Sequence, residues 1–154
     1  MKTRTIILTL ALCFVGVTVV FAEDANMGTW KLNEAKSKIP AGAVKNTTVV
    51  YEAQGDSVKV TTDGTANDGK PSHTEWTGKF DGKDYPLTGD PTADVRSYTM
   101  INDHTLTLTN KKNGKEIASG RVVVSADGKS RSLTLHSTNP AGKKVSSTAM
   151  YDKQ

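Results

Sequence analysis

Apolar and polar side chains alternate along most of the chain that follows residue 22. The alternation is clearest in 57–61, 104–109 and 132–136, where valine or leucine holds every second position and Ser, Thr, Lys or His the others. A period of two is typical of half-buried antiparallel strands. Threonine at the outward positions favours the same structure, because its branched Cβ suits a pleated surface. The pattern therefore predicts an all-β chain.

Glycine–lysine pairs separate many of the alternating stretches, each preceded by Asp, Asn or Ala. They lie in 68–70, 81–83, 113–115, 127–129 and 141–143. Asp-Gly and Asn-Gly tolerate positive φ at both central positions of a tight turn, so these pairs favour β-hairpins. Ten strands are predicted, over 28–33, 47–53, 57–63, 73–80, 83–87, 94–101, 104–110, 115–125, 130–137 and 144–151.

Short strands joined mainly by tight hairpins predict an up-and-down meander. Such a meander must close or pack on itself, because exposed strand edges invite aggregation. The favoured fold is an antiparallel up-and-down β-barrel of about eight to ten strands, wide enough to enclose one small ligand. A two-sheet β-sandwich is the alternative. The stretch from Asn33 to Ile39 is either a short helix, capped by Asn33, or an irregular crossover after the first strand.

The first 22 residues have the pattern of a signal peptide. Lys2 and Arg4 precede an apolar run over 5–21, and Ala22 ends a cleavage-like site. We therefore expect 1–22 to be removed, 23–154 to form a single β-barrel domain, and the protein to be periplasmic or extracellular. No other stretch is apolar enough to span a membrane as a helix. Cys13 lies inside the signal, so the mature chain would have no thiol for a disulfide, a metal site or a nucleophile.

The charge pattern argues against nucleic-acid binding. The formal net charge is +4, and it falls by two when Lys2 and Arg4 are removed. The remaining basic residues are mostly lysines scattered among acidic ones, which is typical of a solvated surface.

A resemblance covers nearly the whole mature chain. The tripeptide Gly28-Thr29-Trp30 resembles the Gly-x-Trp signature of the calycin group, which includes lipocalins, fatty-acid-binding proteins and avidins. The stretches 28–33, 35–38, 81–86, 124–125 and 127–129 are similar to those of small exported bacterial lipocalin-like proteins of unassigned function.

The calycin resemblance implies a barrel whose closed end is filled by Trp30, with Gly28 beside it in the same structural motif. It also implies an arginine from a late strand in contact with that tryptophan. Arg121 and Arg131 are the candidates. The similarity to the small exported bacterial proteins supplies no activity.

Nothing in the sequence indicates a catalytic, metal or cofactor site. Three histidines could form a zinc site, but strand parity turns His73 and His136 outward and leaves only His104 on a core face. The chain has no Gly-x-Ser-x-Gly elbow and no glycine-rich phosphate loop. We therefore expect a non-enzymatic protein without a cofactor.

One polar pair suggests a ligand site. Arg96 and Tyr98 share one face of the strand over 94–101, and they resemble the Arg-x-Tyr clamp with which fatty-acid-binding proteins hold a carboxylate. Inside a barrel, Arg96 would need an anionic partner. The alternative places Arg96 in water and buries Val95 and Ile101 instead. Trp76 and Tyr151 are the further candidates for ligand binding, through apolar contact.

The sequence thus favours an exported, non-enzymatic binding protein for a small hydrophobic or amphipathic molecule. The alternative is an envelope structural module, or a protein-binding module of the inhibitor type, with a solid core. The pattern indicates neither the ligand's identity nor an oligomeric state.

Overall fold

The computed structural model describes residues 24–138 and 142–154, so the predicted signal peptide lies outside the described residues. The described part contains ten strands, and their bounds agree with the predicted ones to about two residues. They are β1 (Gly28–Leu32), β2 (Lys45–Gln54), β3 (Ser57–Thr65), β4 (Pro71–Gly78), β5 (Tyr85–Thr88), β6 (Val95–Asn102), β7 (Thr105–Lys112), β8 (Lys115–Val124), β9 (Ser130–Thr138) and β10 (Lys144–Lys153).

The ten strands form one closed antiparallel barrel. Each strand pairs with the next one along the chain, and β1 closes the barrel by pairing with β10 through Trp30 opposite Lys153 and Leu32 opposite Tyr151. Closure pairs the first strand with the last, so neither is left as a free sheet edge. The predicted up-and-down barrel is confirmed, and the two-sheet sandwich is wrong.

The connection from β1 to β2 combines the two predicted alternatives. Its only helical part is a single 3₁₀ turn, Glu34–Lys36, whose first backbone groups are capped by Asn33: the side-chain oxygen of Asn33 accepts a hydrogen bond from the Lys36 amide. Beyond it, the Lys38 amide donates to the Thr148 carbonyl at 2.7 Å, which docks the crossover on β10. No α-helix occurs among the described residues.

The predicted Asp-Gly and Asn-Gly turns differ in their backbone geometry. Between β7 and β8, Asn113 has φ 50° and Gly114 has φ 74°, as the twist of a two-residue hairpin requires. At the Asp-Gly turns only the glycine has positive φ. The Gly82 turn moreover does not join two strands directly, since the segment around it pairs with β6 through Asp81 and Thr99.

The barrel core is built on large aromatic side chains from inward-facing strand positions. Trp30 is completely buried, and its indole Nε1 donates a hydrogen bond to the Asn26 carbonyl at 2.8 Å. Asn26 is itself buried, and its neighbours Ala25 and Met27 pack against the core. The N-terminal turn over 24–27 therefore closes the end of the barrel at which Trp30 lies.

Candidate functional site

The barrel encloses a small cavity of about 60 Å³. A buried water needs roughly 10–15 Å³ of such space, so the cavity has room for a few water-sized groups. Its wall comes from six strands and mixes apolar, aromatic and polar side chains: Asn46, Val49, Tyr51, Thr62, Arg96, Tyr98, Leu108, Asn110, Val122, Arg131, Leu133 and Leu135.

Arg96 lies on the cavity wall and is held by hydrogen bonds. Its Nε donates to the Asn110 side-chain oxygen at 2.7 Å, and its Nη1 donates to the Tyr98 hydroxyl at 3.4 Å. The Arg96 carbonyl accepts a hydrogen bond from the Trp76 indole at 2.8 Å, which fixes this part of β6 against β4. The alternative arrangement, with Val95 and Ile101 buried, is wrong, since Ile101 is 52% exposed.

Tyr98 is oriented by an aromatic cluster that packs behind it. The Trp76 and Tyr98 rings meet edge to face with centroids 4.8 Å apart, and Phe80 stacks on Trp76 at 6.3 Å. Edge-to-face and offset pairs of this kind add to the stabilisation from burial. Trp76 is buried without lining the cavity, so it supports the wall from behind. Its predicted ligand contact stays a prediction.

Gly78 makes the aromatic cluster possible. It occupies an inward position of β4, where a Cβ atom would lie 2.5 Å from the Tyr85 ring and 2.7 Å from the Trp76 ring. These distances are too short for any side chain. The absent side chain lets the Trp76 and Tyr85 rings meet edge to face at 5.7 Å.

Arg131 is the second arginine on the cavity wall, and it is 3% exposed. Its guanidinium carbon lies 4.8 Å from the Trp30 ring centroid and 4.9 Å from the Tyr51 and Tyr151 centroids. These are cation–π distances. Of the two arginines that the calycin resemblance offered, Arg131 is thus the one in contact with Trp30, whereas Arg121 is exposed.

Tyr151 contributes to the site indirectly. It is almost fully buried and contacts Arg131 through its ring, but it is not on the cavity wall. The predicted site residues therefore fall into two groups. Arg96 and Tyr98 face the cavity, and Trp76 and Tyr151 pack behind the groups that face it.

The two inward arginines have no anionic partner among residues 24–138 and 142–154. All ion pairs found there join Lys or His to Asp or Glu with partly or well exposed side chains. The Nε and Nη1 atoms of Arg131 are buried and lack any hydrogen-bond partner. A buried, unpaired guanidinium is costly, so this end of the cavity is electrostatically unsatisfied.

The neighbouring tyrosines do not supply the missing negative charge. Burial raises the pKa of Tyr151 to about 12. Burial also raises the pKa of Tyr51, the nearby Tyr98 adds to that effect, and Arg131 opposes it without reversing it. Both hydroxyls therefore stay neutral at ordinary pH.

Sequence reasoning missed the polar lining and the position of Arg131 on the cavity wall. Strand parity carries a signal for both. Arg131 shares a face of β9 with Leu133 and Leu135, and Asn110 shares a face of β7 with Leu106 and Leu108. Following the apolar positions to the end of each strand places these polar residues inside.

The described residues were also compared with the requirements of a metal site and of a membrane-spanning helix. No group of three or more His, Cys, Asp or Glu side chains that could hold a metal ion occurs in the described ranges. His73 and His136 are exposed, and His73 contacts Asp63 at the surface. A search of the described residues for a helix long and apolar enough to cross a membrane finds none.

Comparison with known proteins identifies no family for this chain. The chain matches no protein-family model and no curated protein. Two similar solved structures are a redesigned β-barrel, mFAP1, bound to DFHBI and the barrel EF1p2_mFAP2b bound to DFHBI. They are 17% and 13% identical to this chain with TM-scores of 0.45 and 0.49. Each alignment covers 84% of this chain and 95% or 94% of the other. At these levels neither structure says what this chain binds.

Proposed function

We propose that this protein is an exported, non-enzymatic binding protein that holds one small amphipathic molecule inside the barrel. One observation carries the proposal. Two inward arginines, Arg96 and Arg131, face the same enclosed cavity, and neither has a carboxylate partner in the described part of the chain. A guest with an anionic group supplies that partner.

A guanidinium inside the barrel is costly when no anion compensates its charge. An ionised side chain taken out of water without a counter-ion costs several kcal/mol, and about the same is recovered when a partner with good geometry arrives. Charge-assisted hydrogen bonds from guanidinium to carboxylate are short and about twice as strong as neutral ones. The electrostatics of the barrel interior therefore favour an anion.

The rest of the wall defines the amphipathic character of the guest. Leu108, Val122 and Leu133 face the cavity between the polar groups and offer apolar contact. Binding sites of this type combine an apolar wall with a few polar groups that fix orientation. Export rests on the predicted signal peptide, residues 1–22. Cell fractionation with an antibody against the mature chain tests it, and a full-length protein retained in the cytoplasm contradicts it.

Native mass spectrometry tests the binding function. The protein is purified gently from its own compartment, and its mass is measured before and after denaturation. We expect a reproducible extra mass that is lost on denaturation and is absent from Arg96→Met protein prepared in the same way. Arg121→Met is the matched control, because Arg121 is an exposed arginine on the outer face of β8. Wild-type protein that is bare under every preparation contradicts the proposal.

A second candidate function is favoured by the modest size of the cavity. About 60 Å³ is far below the roughly 300–1,000 Å³ of pockets for drug-sized ligands. Met100, Ile101 and Val123 are exposed where β6 and β8 end. On this reading the barrel is a nearly solid envelope module or a protein-binding module. Bare protein in the native spectrum, together with a defined protein complex, supports it over the first candidate.

A further inference from the structure

We infer that the guest is a short dicarboxylate whose two carboxylates bind at opposite ends of the cavity, one to Arg96 and one to Arg131. This inference rests on the proposed function and names the chemical class of the ligand. Three features support it: the two guanidiniums lie toward opposite ends of the barrel, neither has an anionic partner in the described part of the chain, and apolar side chains line the cavity between them.

The topology places the two arginines toward opposite ends of the barrel. Arg96 is the second residue of β6, and Arg131 is the second residue of β9. Consecutive strands of this barrel run in opposite directions, so β6 and β9 begin at opposite ends. Both side chains nevertheless reach the same cavity.

The Arg131 end is a closed subsite with unused donors. Arg131 is 3% exposed, its guanidinium lies against the rings of Trp30, Tyr51 and Tyr151, and its Nε and Nη1 have no hydrogen-bond partner. The aromatic rings stabilise the cation but leave its Nε and Nη1 without a hydrogen-bond acceptor. A carboxylate oxygen at this end would accept from the unpaired nitrogens.

The Arg96 end is polar as well as cationic. Asn46, Thr62 and Asn110 line the cavity together with Arg96. Asn110 accepts from the Arg96 Nε and the Tyr98 hydroxyl accepts from Nη1, which orients the guanidinium and leaves Nη2 for a ligand. The side-chain amides and hydroxyl can donate to the second oxygen of a carboxylate held there.

The space between the two ends suits a short apolar spacer. Tyr98, next to Arg96, and Tyr51, next to Arg131, meet edge to face with centroids 6.3 Å apart. The two rings touch and both line the cavity, so they connect the part of the wall at Arg96 with the part at Arg131. Leu108 and Leu133 line the same cavity and would contact methylene groups. A cavity of about 60 Å³ excludes a long alkyl chain.

A dicarboxylate and a monocarboxylate differ in how many of the two guanidiniums they neutralise. A monocarboxylate neutralises one guanidinium and leaves the other without an anion, whether that is the buried Arg131 or the partly buried Arg96. A dicarboxylate neutralises both, so it gains a second charge-assisted contact in a site of low dielectric. We therefore expect the second carboxylate to strengthen binding at least about tenfold, which is less than the loss seen when one partner of a fully buried charge pair is removed.

Isothermal titration calorimetry on the mature wild-type protein tests the inference. The probes are succinate, glutarate and adipate, with butyrate and hexanoate as monocarboxylates of matched length. We expect each dicarboxylate of suitable length to bind about tenfold or more tightly than the monocarboxylates, with an optimum in the series. Arg96→Met and Arg131→Met should each reduce dicarboxylate affinity to the monocarboxylate level. Arg121→Met should leave it unchanged.

The outcomes separate this inference from the proposed function. Monocarboxylates that bind as tightly as dicarboxylates overturn the inference and leave the binding function in place. A wild-type protein that binds no dicarboxylate also overturns it, and the native mass spectrum then decides the proposed function by itself. Should Arg131→Met fail to fold, Arg131→Lys keeps the charge but shortens the reach. It should move the optimum to a longer dicarboxylate, and an unchanged optimum counts against the inference.

Discussion

The guanidinium of Arg131 lies over the ring of Trp30, with the guanidinium carbon 4.8 Å from the ring centroid. This contact joins the end of the barrel closed by 24–27 to the wall of the internal cavity, because Trp30 is hydrogen-bonded to Asn26 and Arg131 faces the cavity. The same arginine therefore has two possible roles, as a structural clasp and as an anion-binding group. The two roles predict different stabilities for its variants.

Arg131→Met should change the free energy of unfolding of the ligand-free protein by less than about 1 kcal/mol. The variant loses cation–π contacts worth roughly 0.5–2 kcal/mol each, but it also removes an unpaired buried charge that costs several kcal/mol. Urea denaturation of the purified mature protein measures the difference, with Arg121→Met as the surface control. A loss above about 3 kcal/mol would show that Arg131 is mainly a clasp.

Trp30→Ala should destabilise the barrel by about 3–5 kcal/mol, the usual cost of truncating a fully buried tryptophan. Trp30→Phe keeps an aromatic ring but leaves the Asn26 carbonyl without its indole donor, and we expect a loss of about 1–3 kcal/mol. Chemical denaturation followed by circular dichroism checks both variants. Equal losses for the two would mean that ring packing is not what Trp30 contributes.

The strands were predictable from the sequence because one physical rule governs nearly all of them. Val58 and Val60 alternate with polar residues, and so do Leu133 and Leu135, so the period of two sets both the strand and its inward face. The closed barrel was also predictable from the sequence, because closure removes exposed strand edges. The turn geometry was less predictable, because pairing with β6, and not the local Asp-Gly preference, sets the backbone at 81–82.

The hairpin between β7 and β8 offers a test of local backbone preference. Gly114→Ala should cost about 1–2 kcal/mol, because φ is 74° there and L residues are strained in that region. No atom lies within 4 Å of the added Cβ, so the cost is backbone strain alone. Asn113→Gly is the matched control, and it should be neutral or slightly stabilising because φ is already 50°. Thermal unfolding measures both, and an unchanged midpoint for Gly114→Ala contradicts the assignment.

Alkaline pH should destabilise the barrel through its buried tyrosines. Burial raises the pKa of Tyr151 from 10.0 to about 12, so the folded state favours the neutral hydroxyl. The contribution of the neutral Tyr151 hydroxyl to the free energy of unfolding is complete below pH 10.0 and is lost as the pH rises toward 12. Over this range the free energy of unfolding falls by about 1.4 kcal/mol per pH unit for each such tyrosine. The raised pKa of Tyr51 acts in the same direction.

Urea unfolding of wild type and Tyr151→Phe between pH 9 and pH 11 checks this linkage. Since phenylalanine has no proton to lose, the variant should lose stability less steeply than the wild type above about pH 10. If the free energy of unfolding falls equally steeply with pH in both proteins, Tyr151 ionises as easily in the folded barrel as in the unfolded chain.

The candidate site was only partly predictable. Arg96 and Tyr98 could be named because two residues on one strand share a face, but a single strand does not say which face is inside. Arg131 was offered only through the calycin resemblance, and its unpaired nitrogens follow from the packing of three rings that come from β1, β2 and β10. Contacts among distant strands leave no pattern in the sequence of any one of them.

Anomalous diffraction from crystals of the wild-type protein soaked in sodium bromide tests the central claim most directly, because bromide is a small anion with a strong anomalous signal. We predict an anomalous peak inside the barrel in contact with the Arg131 guanidinium, and its loss in Arg131→Met crystals. Bromide peaks beside surface lysines with none in the cavity would contradict the claim that the barrel interior is an anion site.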